Sequence, residues 1–132
     1  MVTSWARRVQ PIVAWLFVAC SIIQVFLAGL GVFENPARFA THRDFGYTFS
    51  ALVLVLIILA IVGRMGRRIV GLSVLLMIMF LLQSVFVAFR TSQPMIAALH
   101  PVNGFLIILV GIVLARAGRR VGWPAPANPP PS

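Results

Sequence analysis

The sequence has almost no acidic residues and no lysine. Of its 132 residues only two are acidic, all eleven basic residues are arginine, and 61% are hydrophobic. A chain with a mean hydropathy of +1.02 and so few carboxylates cannot present an ordinary water-exposed surface. These features exclude a soluble globular domain and predict an integral membrane protein, with the lipid bilayer as its main partner.

Cysteine and histidine are also scarce. The one cysteine, Cys20, can form no disulfide bond within the chain. Histidine occurs twice, at positions 42 and 100. A site that needs many sulfur and nitrogen ligands is therefore not expected, and any metal chemistry would depend on these two histidines.

Four long apolar stretches are separated by short charged segments. They cover residues 12–33, 36–63, 69–89 and 94–115, and each is close to the about 20 residues that cross a bilayer as a helix. We predict an all-α fold, a four-helix transmembrane bundle over residues 1–120. Residues 121–132 carry five of the nine prolines and are predicted to be an extended tail, with docking to a partner protein as the alternative to a plain tail.

The arginines are distributed unequally between the two ends of these predicted helices. The eight at one set of ends are Arg7, Arg8, Arg64, Arg67, Arg68, Arg116, Arg119 and Arg120, and the three at the other are Arg38, Arg43 and Arg90. By the positive-inside rule, both termini are predicted to be cytoplasmic, in a bacterial plasma membrane. The net charge of +9 follows from this topology and favours anionic lipid. A nucleic-acid partner is not predicted, because no exposed basic groove is expected.

The same spaced motif occurs twice. Proline, histidine and glycine stand at Pro36, His42 and Gly46, and again 58 residues later at Pro94, His100 and Gly104. The spacing predicts a tandem repeat of two-helix units, related by an axis along the membrane normal. The second and fourth helices are then equivalent, and their histidines face each other near the extracytoplasmic side.

Each motif predicts that a helix begins at the proline and that the histidine in its second turn can act as a ligand. Asn35 is a typical N-cap before the first proline, and Gln93 is a weaker one before the second. The histidine then falls in the second turn, with Gly46 or Gly104 one turn deeper on the same face, where it would give clearance to a porphyrin. Paired imidazoles on facing helices are common axial ligands of haem iron. We therefore predict one haem b held by the two histidines.

Three arginines and two glutamines complete the predicted site. Arg38, Arg43 and Arg90 could pair with haem propionates, and Gln24 and Gln83 could donate hydrogen bonds inside the bundle. The alternatives are that the arginines are ordinary loop charges, that the glutamines pair with each other, and that the glycines only allow close helix packing. Zinc or copper is less favoured, because two histidines fall short of the three or four protein ligands that zinc takes.

One spacing argues against a shared iron. His42 lies 22 residues before Arg64, whereas His100 lies 16 before Arg116. The difference of six residues corresponds to about 9 Å along a helix. Unequal helix tilt, a kink at Pro101, or a different placement of the arginines would remove the difference. Whether the two histidines lie at one depth is therefore the point that the structure must decide.

These motifs resemble one four-helix half of the haem A synthase membrane fold, and bis-histidine b-type cytochromes more generally. The resemblance rests on Gln24, Leu27, Gly29, His42, Arg43, Gly46, Gln83, His100 and Gly104. It implies that the two histidines ligate haem near the extracytoplasmic face. It does not imply the enzymatic activity, because that family uses two such halves with long outer loops. The chain also looks like small uncharacterised four-helix membrane proteins of actinobacterial type.

The leading functional hypothesis is a b-type cytochrome that passes one electron from a membrane donor, such as a quinol or a membrane redox complex, to an outer acceptor. Two filled axial positions favour electron transfer over oxygen binding. A cofactor-free accessory or assembly subunit is the main alternative, and a stand-alone enzyme is less expected than either. A small exporter or channel is least favoured, because Glu34 and Asp44 lie at the outer rim instead of within the bilayer.

Overall fold

A computed structural model describes residues 1–124, and all regular structure in this range is helical. The helices are α1 (Val2–Phe33), α2 (Phe39–Val62), α3 (Arg67–Ala88), the short α4 (Pro94–Ala97) and α5 (Leu99–Gly122), with a 3₁₀ turn at Pro36–Arg38 before α2. Four segments, Val2–Phe33, Pro36–Val62, Arg67–Ala88 and Pro94–Gly122, are long and apolar enough to cross a membrane. The predicted all-α four-helix bundle is confirmed, and the chain is a multi-pass membrane protein.

Two helices extend further than the apolar stretches of the sequence. α1 begins at Val2, ten residues before the predicted span, and α5 continues to Gly122, seven residues beyond the predicted end. Both extensions contain arginines, whose long side chains can reach the headgroup region while the backbone stays helical. The first two residues of the predicted tail therefore belong to α5, and residues 125–132 of that tail lie outside the described residues.

The four long helices form a square in which each one packs against two neighbours. α1 contacts α2 and α5, and α3 contacts the same two helices. The diagonals of the square are therefore α1 with α3 and α2 with α5. Because α2 and α5 carry the histidines, this arrangement places the two histidines on opposite sides of the bundle centre.

The buried positions follow the predicted tandem repeat. Buried residues of α1 recur in α3 after 59 residues, and those of α2 recur in α5 after 58. The pairs are Gln10 with Ile69, Ala14 with Ser73 and Phe17 with Leu76, then Phe49 with Ile107, Val53 with Gly111 and Leu56 with Leu114. Each two-helix half thus presents the same face to the centre of the bundle.

The closely packed core occupies only the inner half of the bundle, the half nearer the eight arginines. Buried residues extend outward as far as Ser21, Phe49, Met79 and Asn103. Beyond them, Gly31 is the one buried residue on the outer turns of the four long helices as described. The outer half is therefore less closely packed, and both histidines lie there.

The starts of the second and fourth spans are set by local chemistry. Asn35 caps as predicted, its Oδ1 accepting a hydrogen bond from the N–H of Ala37 at 2.9 Å, whereas Gln93 makes no side-chain cap. Pro101 lies in the first turn of α5 and has no N–H to donate to the carbonyl of Ala97. The helix is therefore interrupted between α4 and α5, and the proline does not kink the middle of the span.

Close packing of α5 against α1 can be tested at Gly111. A Cβ atom there would lie 3.1 Å from Cγ2 of Val18 and 3.3 Å from the ring of Phe17. We expect Gly111→Leu to lower the free energy of unfolding by about 1–3 kcal/mol, because extra volume strains a well-packed core. The matched variant Gly71→Leu, at a glycine with open space around it, should unfold close to the wild type in a detergent thermal melt. Equal losses in both variants would contradict this packing.

Candidate functional site

The two histidines face each other across the outer half of the bundle. The ring centres of His42 and His100 are 6.1 Å apart, and the ring planes are inclined by 68°. Both residues are half-buried. The two rings are neighbours, so the unequal spacing in the sequence does not keep them apart.

That unequal spacing comes from the placement of the arginines. α2 ends before Arg64, which lies in the following loop, whereas Arg116 lies within α5. From each histidine to the end of its helix the counts are similar, 62 − 42 = 20 residues in α2 and 122 − 100 = 22 in α5. Different placement of the arginines, one of the three explanations open from the sequence, thus accounts for the difference.

Each histidine is held by a backbone carbonyl on the neighbouring helix. Nδ1 of His42 is 3.0 Å from the carbonyl oxygen of Gln24 in α1, and Nδ1 of His100 is 3.2 Å from that of Gln83 in α3. A carbonyl oxygen can only accept, so in the neutral imidazole Nδ1 carries the proton and donates it. Nε2 is then the unprotonated nitrogen, and a hydrogen bond from the other ring nitrogen is the usual means of orienting a metal-binding histidine.

The two glycines make room for the two glutamine side chains. A Cβ atom at Gly46 would lie 2.7 Å from Nε2 of Gln24, and one at Gly104 would lie 3.2 Å from Nε2 of Gln83. This role differs from the predicted clearance for a porphyrin, because the space beside each glycine is taken by an amide. Each glutamine also bonds within its own half of the repeat, so the two do not pair with each other.

The two halves differ in what holds the glutamine amide. In the second half, Nδ2 of Asn103 donates to Oε1 of Gln83 at 2.9 Å. The equivalent position in the first half is Phe45, and among the described residues the buried Oε1 of Gln24 has no hydrogen-bond partner. Nε2 of Gln24 instead donates to the carbonyl of His42 at 2.7 Å and lies 3.4 Å from Nε2 of the same histidine.

Phenylalanines form an apolar floor on the inner side of the histidine pair. The rings of Phe17, Phe49 and Phe80 all contact one another, with ring centres 5.3 to 5.7 Å apart. The ring of Phe45 packs on that of Phe49 at 5.3 Å. Phe49 follows His42 by seven residues, on the same face of α2 and two turns deeper. The histidines are thus placed between an aromatic floor and the outer ends of the helices.

The three arginines predicted to bind propionates are not equivalent. Arg38 forms an ion pair with Glu34 at 2.8 Å, and Arg43 forms one with Asp44 at 2.9 Å. All four of these side chains are exposed. Arg90 follows the end of α3 and, among residues 1–124, is in no ion pair. It is therefore the outer arginine most available to an anionic group.

Asn103 and the two backbone carbonyls were not predicted from the sequence. Asn103 follows His100 by three residues on the same helix face, and a polar residue in an apolar span is itself a functional signal. The carbonyls leave no signal, because every residue has one. The sequence predicts a role for the side chains of Gln24 and Gln83, whereas their main-chain carbonyls make the Nδ1 contacts.

The fold and the facing histidines define a small multi-pass helical membrane protein with one polar site in its outer half. Among residues 1–124, no group of three or more histidine, cysteine, aspartate or glutamate side chains could hold a metal ion. The chain belongs to the family of unknown function DUF6220, whose family model matches residues 24–91. The match includes Gln24, His42 and Gln83, and His100 lies beyond it. No curated protein and no solved structure matches the chain.

The contact between glutamine and glycine can be tested with Gly46→Ala. The added Cβ atom should push the amide of Gln24 off the carbonyl of His42 and cost about 1 kcal/mol of stability, the net value of a typical hydrogen bond. In a Gln24→Ala background the same change should be neutral or stabilising, because alanine favours a helix over glycine by up to about 1 kcal/mol. Thermal unfolding of the four proteins gives the coupling, and an equal effect in both backgrounds would show that Gln24 does not occupy this space.

Proposed function

We propose that the protein is a membrane-embedded b-type cytochrome-like protein that transfers electrons through one haem b held by His42 and His100. The separation of the two rings is the observation that carries the proposal. Two metal–nitrogen bonds of about 2 Å, with about 1.1 Å from each nitrogen to its ring centre, would separate two axial imidazoles by about 6 Å. The ring centres are 6.1 Å apart.

The hydrogen bonds of the rings support the same proposal. In both histidines Nδ1 is bonded to a carbonyl oxygen, which orients the ring and leaves the lone pair of Nε2 for a metal. Both ring planes of an axial pair contain the line between the ligands, and they are free to rotate about it. An inclination of 68° is therefore compatible with axial ligation of one iron.

The surroundings fit a porphyrin better than a bare metal ion. Gln24, Phe45 and Gln83 are half-buried, so this part of the bundle is less closely packed than the core below it. A bare ion would find two histidines and, among the described residues, no third ligand. When bound, haem supplies one-electron iron chemistry, and two filled axial positions favour electron transfer.

The surrounding charges support a site on the outer side of a bacterial plasma membrane. The eight inner arginines support cytoplasmic termini by the positive-inside rule, which would put the histidines near the extracytoplasmic face. Arg90, which is exposed, is suited to pair with a propionate there. The donor would be a quinol or a redox complex in the membrane, and the acceptor would lie on the outer side.

The visible spectrum tests the haem site. Protein expressed with ample haem should show a Soret band and a low-spin bis-imidazole spectrum, and either His42→Ala or His100→Ala should remove the low-spin character. The adjacent exposed variants Thr41→Ala and Leu99→Ala should retain it. A folded protein with no Soret band, or an unchanged bis-imidazole spectrum in both histidine variants, would refute the proposal. If partners then co-purify with protein that tolerates both substitutions, a cofactor-free accessory subunit is supported instead.

Reporter fusions test the orientation. Alkaline phosphatase, which is active only outside the cytoplasm, should be active when fused after Arg90 and inactive when fused after Gly122. A fluorescent protein at the latter position should fluoresce, because an even number of crossings returns the chain to the side where it began. The reverse pattern would place the histidines at the cytoplasmic face and contradict the proposed orientation.

A further inference from the structure

The two histidines are equivalent in the repeat but not in their surroundings. We propose that His100 is the permanent axial ligand and His42 the exchangeable one, with Gln24 holding His42 when it leaves the iron. The site would then admit a small neutral ligand, such as carbon monoxide, on the His42 side. This inference rests on the proposed haem site.

On the His100 side the polar groups are engaged with one another. Asn103, which is 8% exposed, donates to Oε1 of Gln83 at 2.9 Å and to the carbonyl of Met79 at 2.8 Å. These bonds connect α5 to α3 directly beside the histidine. Among the described residues, no hydrogen-bond partner lies at Nε2 of His100, so nothing in the protein competes with a metal for that nitrogen.

On the His42 side the amide of Gln24 competes with a metal. Its Nε2 lies 3.4 Å from Nε2 of His42, and an amide N–H can only donate. The proton of the neutral ring is on Nδ1, which bonds the Gln24 carbonyl at 3.0 Å, so Nε2 of His42 can only accept. The lone pair that would bind iron is the one that faces the amide. Ligation and this hydrogen bond therefore exclude each other.

The residue at position 45 explains why a glutamine amide competes with a metal for Nε2 in only the first half of the repeat. Asn103 occupies the Oε1 atom of Gln83, but Phe45 at the equivalent position has no polar group to offer Gln24. The buried Oε1 of Gln24 is accordingly without a partner among the described residues, and its amide stays on His42. A released His42 thus gains a hydrogen bond that a released His100 would not gain.

The exchange itself is a simple ligand substitution. With haem bound, the bond between iron and Nε2 of His42 would break as carbon monoxide bound through its carbon atom, and His42 would leave as the neutral imidazole. No electron or proton would be transferred. The phenylalanine floor favours a small uncharged molecule, because a buried ion would need a partner that the phenylalanine rings do not provide.

Titration of the dithionite-reduced holoprotein with carbon monoxide tests the proposal. The wild type should form an adduct, seen as a shift of the Soret band. Gln24→Leu should lower the apparent affinity about tenfold, because the released histidine loses a hydrogen bond while the Gln24 carbonyl that holds Nδ1 remains. Phe45→Asn should lower it too, by drawing the Gln24 amide toward the new side chain.

Variants of the second half provide the matched comparison. Gln83→Leu deprives Asn103 of its partner. It should weaken haem retention on gel filtration and leave the affinity for carbon monoxide unchanged. His42→Ala should retain haem and bind carbon monoxide more tightly than the wild type, whereas His100→Ala should lose haem.

Two results would overturn the inference. One is a bis-imidazole protein that forms no carbon monoxide adduct, and the other is an equal loss of affinity in Gln24→Leu and Gln83→Leu. Both leave the proposed function intact. A protein without any Soret band would remove the proposed function and this inference together, so the two failures are distinguishable.

Discussion

The hydrogen bond from each histidine Nδ1 to a helix carbonyl is the interaction on which the rest of the site depends. A polar ring within an apolar bundle is costly unless its N–H is satisfied. The carbonyls of Gln24 and Gln83 can accept this proton because a helical carbonyl oxygen has a second lone pair beyond its own backbone bond. This contact sets the tautomer, the direction of the ring and the distance between the paired helices.

Duplication turns this local contact into a two-sided site. α1 with α2 and α3 with α5 form equivalent units, and the square arrangement puts the two histidine helices on one diagonal. The same contact made in each unit then brings the two imidazole rings opposite each other, with their centres 6.1 Å apart. The glycine four residues after each histidine is part of the unit, because a side chain there would displace the glutamine. Glutamine, histidine and glycine at repeated positions thus produce the same geometry in both halves.

Most of the fold could be predicted from the sequence, and so could the fact that the two histidines face each other. Hydropathy, arginine placement and motif spacing are patterns that the sequence itself displays. The relative depth of His42 and His100 could not, since it depends on whether Arg64 and Arg116 lie inside or after their helices. The role of Gly46 could not be predicted either, because a glycine indicates that space is needed without indicating which neighbouring side chain fills it. Backbone contacts carry no sequence signal, and so the carbonyl acceptors emerged only from the packing.

The difference between Phe45 and Asn103 shows how a repeat can diverge without losing its geometry. Both residues lie on the inward face, three positions after a histidine, so either choice leaves the rings opposed. Asparagine donates a hydrogen bond to Oε1 of Gln83, whereas phenylalanine offers Gln24 no donor, and the amide of Gln24 lies beside the ring of His42. A fully symmetric site would hold both rings equally. One apolar residue in one half is enough to give two equivalent histidines different surroundings.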